Sequence, residues 1–144
     1  MHVREVPLAD TRALRQQVLR PHKTVESLVA DEPPEAFAVG AFDHGELVAV
    51  GLTGRDGGPG AWRIRGMATT PQARGNGAGT AVLGALVAHA MACNASRVWC
   101  NARTPARSLY ERAGFRVASE EFEIPEIGPH FVMVLDGACE GAGA

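Results

Sequence analysis

The stretch QARGNGAGTAVLGALVAHA, from Gln72 to Ala90, constrains the fold more than any other part of the chain. Three glycines alternate at Gly75, Gly77 and Gly79 and run directly into an apolar segment. Val82, Leu83, Leu86, Val87 and Met91 recur there at helical spacing. Upstream, AWRIRGMATT alternates as a strand does, with Trp62, Ile64 and Gly66 on one face and Arg63, Arg65 and Met67 on the other, before Pro71 ends it. The pattern predicts a strand, a tight turn and a glycine-opened helix from about Gly77 to Cys93. A helix start offers unpaired N–H groups and a partial positive charge. Glycines leave that backbone bare enough for an anion to reach it. Close packing of strand on helix would call for the same glycines, so the series alone fits a ligand site and a packing device equally.

Neighbouring motifs narrow the choice. A phosphate-binding P-loop ends in Lys followed by Ser or Thr, and no Lys follows Gly79. A dinucleotide fingerprint spaces its glycines G-x-G-x-x-G with an acid about twenty residues on. Here the spacing is G-x-G-x-G and the next acid is Glu111. The chain's net charge is −2, yet Gly57 to Tyr110 contains no Asp or Glu. Arg63, Arg65, Arg74, Arg97, Arg103 and Arg107 all fall in that window, while the remainder holds eight basic residues against sixteen acids. Such a one-signed segment implies an anionic partner. The window lacks Lys and has few aromatics, which favours a small polyphosphate over a polymer. A nucleic-acid-binding domain is the alternative and would bind with strong salt dependence.

A length of 144 residues fits one domain spanning 1–144, with GACEGAGA (137–144) as a flexible tail. HVREV reads as a first strand. Asp10 is placed to cap a helix ending near Arg20, with Leu14 and Val18 on one face and Leu8 as a staple. TVESLVA reads as a short helix. AFAVGAFD and ELVAVGLTG flank His44-Gly45, a hairpin signal. SRVWCNA is a strand, and PARSLYERAG a helix with Pro105 near its first turn and Gly114 as its stop. FRVASEEFEI and HFVMVLD are two more strands. This order predicts an α/β (α+β) fold, a mixed sheet with helices on both faces. Three cysteines without paired spacing read as free thiols, and the N-terminus has no apolar leader core, so a cytoplasmic protein is expected. No His/Cys spacing implies a metal site.

Arg74-Gly75-Asn76-Gly77-Ala78-Gly79 resembles the acetyl-CoA signature of the GNAT N-acetyltransferase superfamily, Arg/Gln-x-x-Gly-x-Gly/Ala. RIRGMATTPQARGNGAGTAVLGALV is similar to that family's fourth strand and third helix, and NARTPARSLYERAGFRV to its second block. EIGPHFVMVL is similar to the ending of ElaA-like members. The resemblance implies a largely antiparallel central sheet of six to seven strands, with strands 4 and 5 splayed. It implies acetyl-CoA as co-substrate, with donors from Arg74, Gly75, Asn76, Gly77, Ala78, Gly79 and Thr80 around its pyrophosphate. Met67, Ala68 and Thr69 would lie along the pantetheine arm, a backbone N–H near Met67 or Ala68 would polarise the acyl carbonyl, and Asn101 and Arg107 would contact the coenzyme.

Tyr110 falls on the position of the family's general acid, where it would protonate the departing thiolate; packing in the core is its ordinary alternative. Arg103 and Arg107, nearby in sequence, are expected to lower its pKa. Many relatives carry a Glu on the fourth strand as base, whereas this chain has Arg63 and Arg65 there. Glu26, Glu121, Glu123, His130 or a water chain remain as bases. The two arginines meet an acidic substrate group, meet the coenzyme, or form a solvated strand face. The resemblance implies direct attack by a primary amine of a small molecule in a ternary complex. Acetylation of a protein or peptide amine and a non-catalytic CoA sensor are the alternatives. LRPHKTVESLVADEPPEAF and EEFEIPEIGPHF would line the acceptor pocket. No nucleic-acid or membrane partner is expected, and the last strands could serve a homodimer.

Overall fold

A computed structural model describes residues 1–137. The strands are β1 (His2–Glu5), β2 (Phe37–Asp43), β3 (Glu46–Arg55), β4 (Ala61–Thr69), β5 (Arg97–Arg103), β6 (Arg116–Val117), β7 (Phe122–Ile124) and β8 (Gly128–Asp136). The helices are α1 (Arg12–Leu19), α2 (Val25–Val29), α3 (Ala78–Ala92) and α4 (Arg107–Arg112). All eight strands form one sheet in the order β1-β2-β3-β4-β5-β8-β6, with β7 also on β8. Every pairing is antiparallel except β4 with β5. That pair is parallel because α3 crosses between the two strands.

The strand count is eight because FRVASEEFEI divides. Arg116–Val117 pairs with Met133 and Val134, and Phe122–Ile124 with Gly128 to His130. Between them the chain leaves the ladder, although the Ala118 N–H donates to Val132 O at 2.8 Å and Ser119 Oγ accepts from the Val132 N–H at 2.9 Å. The expected tail beyond residue 137, including Cys139, lies outside the described residues. No helix among the described residues is long and apolar enough to cross a membrane.

α3 covers one face. Its Val82, Leu83 and Leu86 are fully buried in a cluster with Val39, Ala49, Ile64 and Val98. Each such side chain contributes roughly 2 kcal/mol. α1 covers part of the other face, where Leu14 joins Val50 and Ala68, with Val18 packed beside them. α1 starts later than the sequence implies, because Leu8–Thr11 forms a 3-10 turn that feeds straight into it. Asp10 therefore caps nothing; the Thr11 hydroxyl donates to Leu8 O at 2.8 Å, and Leu8 packs in the cluster of Val6, Ala38 and Leu52. Thr24 does cap α2, its Oγ1 accepting from the Ser27 N–H at 3.3 Å.

One local departure matters for the site. β3 and β4 shift register between Val50 and Leu52, which pair with Ala68 and Arg65, so Gly51 faces two residues, Gly66 and Met67. This is a β-bulge, and Gly66 takes its left-handed conformation at φ +63°. A bulge reverses the in–out alternation beyond it. Met67 accordingly packs on the α3 side with the cluster holding Trp62 and Ile64. A Cβ on Gly66 would point the other way, 3.1 Å from Arg15 Nε. Strict alternation put Met67 with Arg63 and Arg65 and Gly66 with Ile64; the extra residue exchanges them.

Candidate active site

β4 and β5 pair at three positions only, Ala61 to Arg63 against Arg97 to Trp99. From Ile64 to Thr69 the only strand laddered to β4 among the described residues is β3. The start of α3 sits at the end of this opening. A Cβ on Gly79 would lie 3.4 Å from Thr69 Oγ1 on β4 and 4.0 Å from Leu109 Cδ2 on α4. Gly75 and Gly77 have φ of +85° and +89°, and a Cβ on either would meet nothing within 4 Å. Backbone conformation, not close packing, is therefore what demands glycine there. The Asn76 side chain accepts from the Ala78 N–H at 3.3 Å, and the helical ladder begins with the Ala81 N–H donating to Gly77 O at 3.0 Å. The N–H groups of Gly79 and Thr80 precede that ladder and find no carbonyl among the described residues. Arg74 is exposed and makes no ion pair among the described residues.

Tyr110 projects from α4 into the core, 5% exposed, with its ring edge-on to Phe115 at 5.5 Å. Its phenol lies against the Cys100 thiol of β5. Burial, then the neighbouring Cys100, pushes the phenol well above the usual tyrosine range. This reverses the lowered pKa expected from Arg103 and Arg107, because both arginines are engaged elsewhere. The Arg107 Nε donates to Glu111 Oε2 at 3.2 Å and its guanidinium lies 5.2 Å from the Phe131 ring centre. The Arg103 Nη2 donates to Leu19 O at 3.1 Å on the opposite side of the sheet. Burial likewise pushes the Cys100 thiol up to about 12.

On the α1 side lies a cleft of about 150 Å³. Arg15, Leu19 and Arg20 of α1 form one wall, and Arg63 to Gly66 of β4 with Asn101 of β5 form another. Leu28, Asp31, Glu32, Ile124 and His130 complete the lining. The two segments expected to line an acceptor pocket thus do meet here. Arg20 falls inside the first of those segments, whereas Arg15 and Arg103 were missed as lining or flanking residues. A signal existed for Arg15: it shares a helix face with Val18 and Leu19, and a charge inside an apolar stripe is informative.

Glu32 knits the α1 wall together. The Arg12 Nε and Nη2 donate to its two oxygens at 3.1 and 2.9 Å, and the Arg15 Nη1 donates at 2.6 Å. Burial drives the Glu32 carboxyl up, but these charged hydrogen bonds outweigh it and hold the group below the usual carboxylate range. Burial also pushes the guanidinium of Arg65 down, helped by Arg63, and that of Arg20, helped by Arg103. All remain protonated at neutral pH.

Of the proposed bases, Glu26, Glu121 and Glu123 are exposed and outside the cleft; Glu121 instead accepts from the Thr104 hydroxyl at 2.8 Å. His130 is 4% exposed and lines the cleft. Its Nδ1 is 2.7 Å from Gly128 O, so Nδ1 carries the proton and donates. That leaves Nε2 as the acceptor of the neutral ring.

Residues 5–115 match the family model described as the acetyltransferase (GNAT) family. An uncharacterized N-acetyltransferase, YitI, of Bacillus subtilis (strain 168) is 31% identical over 140 residues, which covers 92% of this chain and 94% of that protein. Among solved structures, Escherichia coli ElaA superposes with a TM-score of 0.77 at 17% identity, covering 94% of this chain and 100% of that one. An aminoglycoside 6'-N-acetyltransferase complexed with coenzyme A superposes with a TM-score of 0.77 at 15% identity, covering 94% and 97%.

Proposed function

The chain belongs to the GNAT family and is an acyl-CoA-dependent acetyltransferase, and from that premise we propose that it transfers the acetyl group of acetyl-CoA to the primary amine of a small molecule by direct attack in a ternary complex. One observation carries this reading. The opening between β4 and β5 has the bare N-terminus of α3 at one end and runs into a separate side-chain-lined cleft, with Ile64 to Gly66 and Asn101 common to both. Two substrates can therefore approach β4 from opposite directions and meet at it. A cleft of about 150 Å³ suits a small amine better than a drug-sized ligand, whose pockets run from roughly 300 Å³ upward.

In this reading the N–H groups from Gly75 to Thr80, with Arg74, hold the pyrophosphate of acetyl-CoA. The free edge of β4 from Met67 to Thr69 holds the pantetheine arm, and Asn101 bonds the coenzyme. Arg107 contacts it by exchanging its bond to Glu111. The cradle fits an anion on an observation independent of the family: Gly75 and Gly77 face open space, and Arg74 makes no ion pair among the described residues. The amine nitrogen attacks the thioester carbonyl carbon, a C–N bond forms, and the C–S bond breaks to release CoA as a thiolate. A backbone N–H at the bulge, Met67 or Ala68, stabilises the carbonyl oxygen as charge develops. His130 Nε2 takes the proton that the amine loses, and the Tyr110 O–H donates to the departing sulfur.

The test is purified protein with acetyl-CoA and a panel of small amines, read by free thiol and by mass of the acetylated product. Thiol and acetylated amine in equal amounts are expected. Coenzyme binding without turnover on any amine would favour the sensor alternative, and acetylation confined to peptides would move the acceptor to a protein or peptide amine.

A further inference from the structure

Three guanidiniums converge on the acceptor cleft without enough carboxylates to answer them. Arg63 and Arg65 stand two apart on β4 ahead of the bulge and so share the α1 face. Arg20 reaches them from the end of α1. Of the two acids at the cleft, Glu32 is consumed by Arg12 and Arg15, and only the exposed Asp31 remains. Arg20 donates to Leu19 O, a neutral carbonyl, at 2.9 Å. Arg63 spreads over the Trp99 ring at 4.8 Å and touches Asp56 at 3.4 Å, yet its Nε is buried with no hydrogen-bond partner among the described residues. Arg65 is half-buried and has neither hydrogen bond nor ion pair among the described residues. Arg103, bonded to Leu19 O, lies close enough to Arg20 to lower its proton affinity.

Holding like charges together in a half-buried cleft opposes folding, and the two carboxylates nearby, Asp31 and Asp56, offset it only in part. An anionic ligand would offset the rest. A guanidinium binds a planar oxyanion through paired N–H donors, and desolvation in the cleft strengthens that contact. The same charges repel a polycation. We propose that the acceptor is a small amine that also carries a carboxylate, of amino-acid size, its carboxylate held by Arg65 and Arg20 and its amine directed toward the β4 bulge. The size follows from the cleft volume of about 150 Å³. The inference rests on the acetyltransfer reading and names the substrate class of that site. Amines bearing a phosphate in place of the carboxylate share the recognition chemistry and form a separate arm of the test.

The experiment compares matched acceptors at fixed acetyl-CoA: glutamate and glycine, their amides, O-phosphoserine, and the diamine putrescine. Carboxylated amines are expected to exceed their amides and the diamine in kcat/KM by at least tenfold. Arg65→Glu, with folding checked by melting temperature, should cut kcat/KM for the carboxylated amine at least tenfold through KM, leave KM for acetyl-CoA within twofold, and shift relative preference toward the diamine. Preference of the wild type for amides or the diamine, or an unchanged acceptor ratio in Arg65→Glu, would overturn the proposal while leaving acetyl transfer intact. A higher kcat/KM for O-phosphoserine than for glutamate would replace the carboxylate by a phosphate. If no amine turns over, acetyl transfer to small amines fails, and calorimetric binding of glutamate and putrescine to the CoA-bound protein still decides the charge question. Glutamate binding lost in Arg65→Glu supports the inference, and putrescine binding overturns it.

Discussion

Burial against Cys100 sets what Tyr110 can do. With its pKa raised by loss of solvent, the phenol stays neutral across the working pH range and is a poor source of a whole proton for a thiolate, since even the ordinary values for phenol and thiol in water, about 10 and 8.5, make that transfer uphill. A neutral phenol can still donate a hydrogen bond that strengthens as the sulfur gains charge. Tyr110→Phe keeps the ring on Phe115 and removes only the donor. The expected result is a kcat loss of about 10²-fold, the scale of one well-placed donor, with coenzyme affinity and melting temperature nearly unchanged. A large drop in melting temperature with kcat intact would make Tyr110 a packing residue only. The same burial makes Cys100 inert. A thiol whose pKa is about 12 is ionised at pH 8 on the order of one part in 10⁴. Iodoacetamide should therefore label the partly exposed Cys93 in the native protein and leave Cys100 untouched until denaturant is added, as peptide masses would report. Equal labelling of the two would contradict the burial.

Two elements, α3 and β4, border the opening in the sheet, and they were legible to different degrees. α3 follows from its own residues: the glycine series fixed its start to within a residue and its apolar spacing fixed the face that meets the sheet. The parallel step from β4 to β5 follows once a helix of that length connects two strands. The bulge in β4 was not readable from alternation, because one unpaired residue changes every facing after it. Only Gly66, a glycine inside a strand pattern, signalled it. The turn at the start of α3 offers a direct test. Gly77 has open space around it but a left-handed backbone, so Gly77→Glu adds strain on the order of 1 kcal/mol and places an anion beside the unpaired N–H groups. Calorimetry should show acetyl-CoA binding weakened more than tenfold, or about 1.4 kcal/mol. Unchanged affinity in the folded variant would remove the pyrophosphate from this turn.

Across the whole molecule, the arginines of the acid-free window separate into two places. Arg74 stands at the start of α3, while Arg63, Arg65 and Arg103 lie on the far side of the sheet with Arg20. Sequence could count these arginines but could not divide them, since the division depends on which strand face each occupies. The α1 wall of the cleft was equally hidden, because Arg12, Arg15 and Glu32 meet only after the chain has turned through α2. The fold and the glycine turn were thus readable from local patterns, whereas the α1 cleft is assembled from segments distant in sequence. The central claim is that coenzyme and acceptor reach β4 from opposite sides. Backbone amide NMR of the ¹⁵N-labelled protein, titrated with CoA alone, tests it most directly. Shifts concentrated at Arg74 to Thr80 and Met67 to Thr69, with Arg15, Arg20 and Leu28 unmoved, are the predicted result. Shifts centred on the α1 cleft, with the turn from Gly75 to Gly79 unaffected, would contradict it.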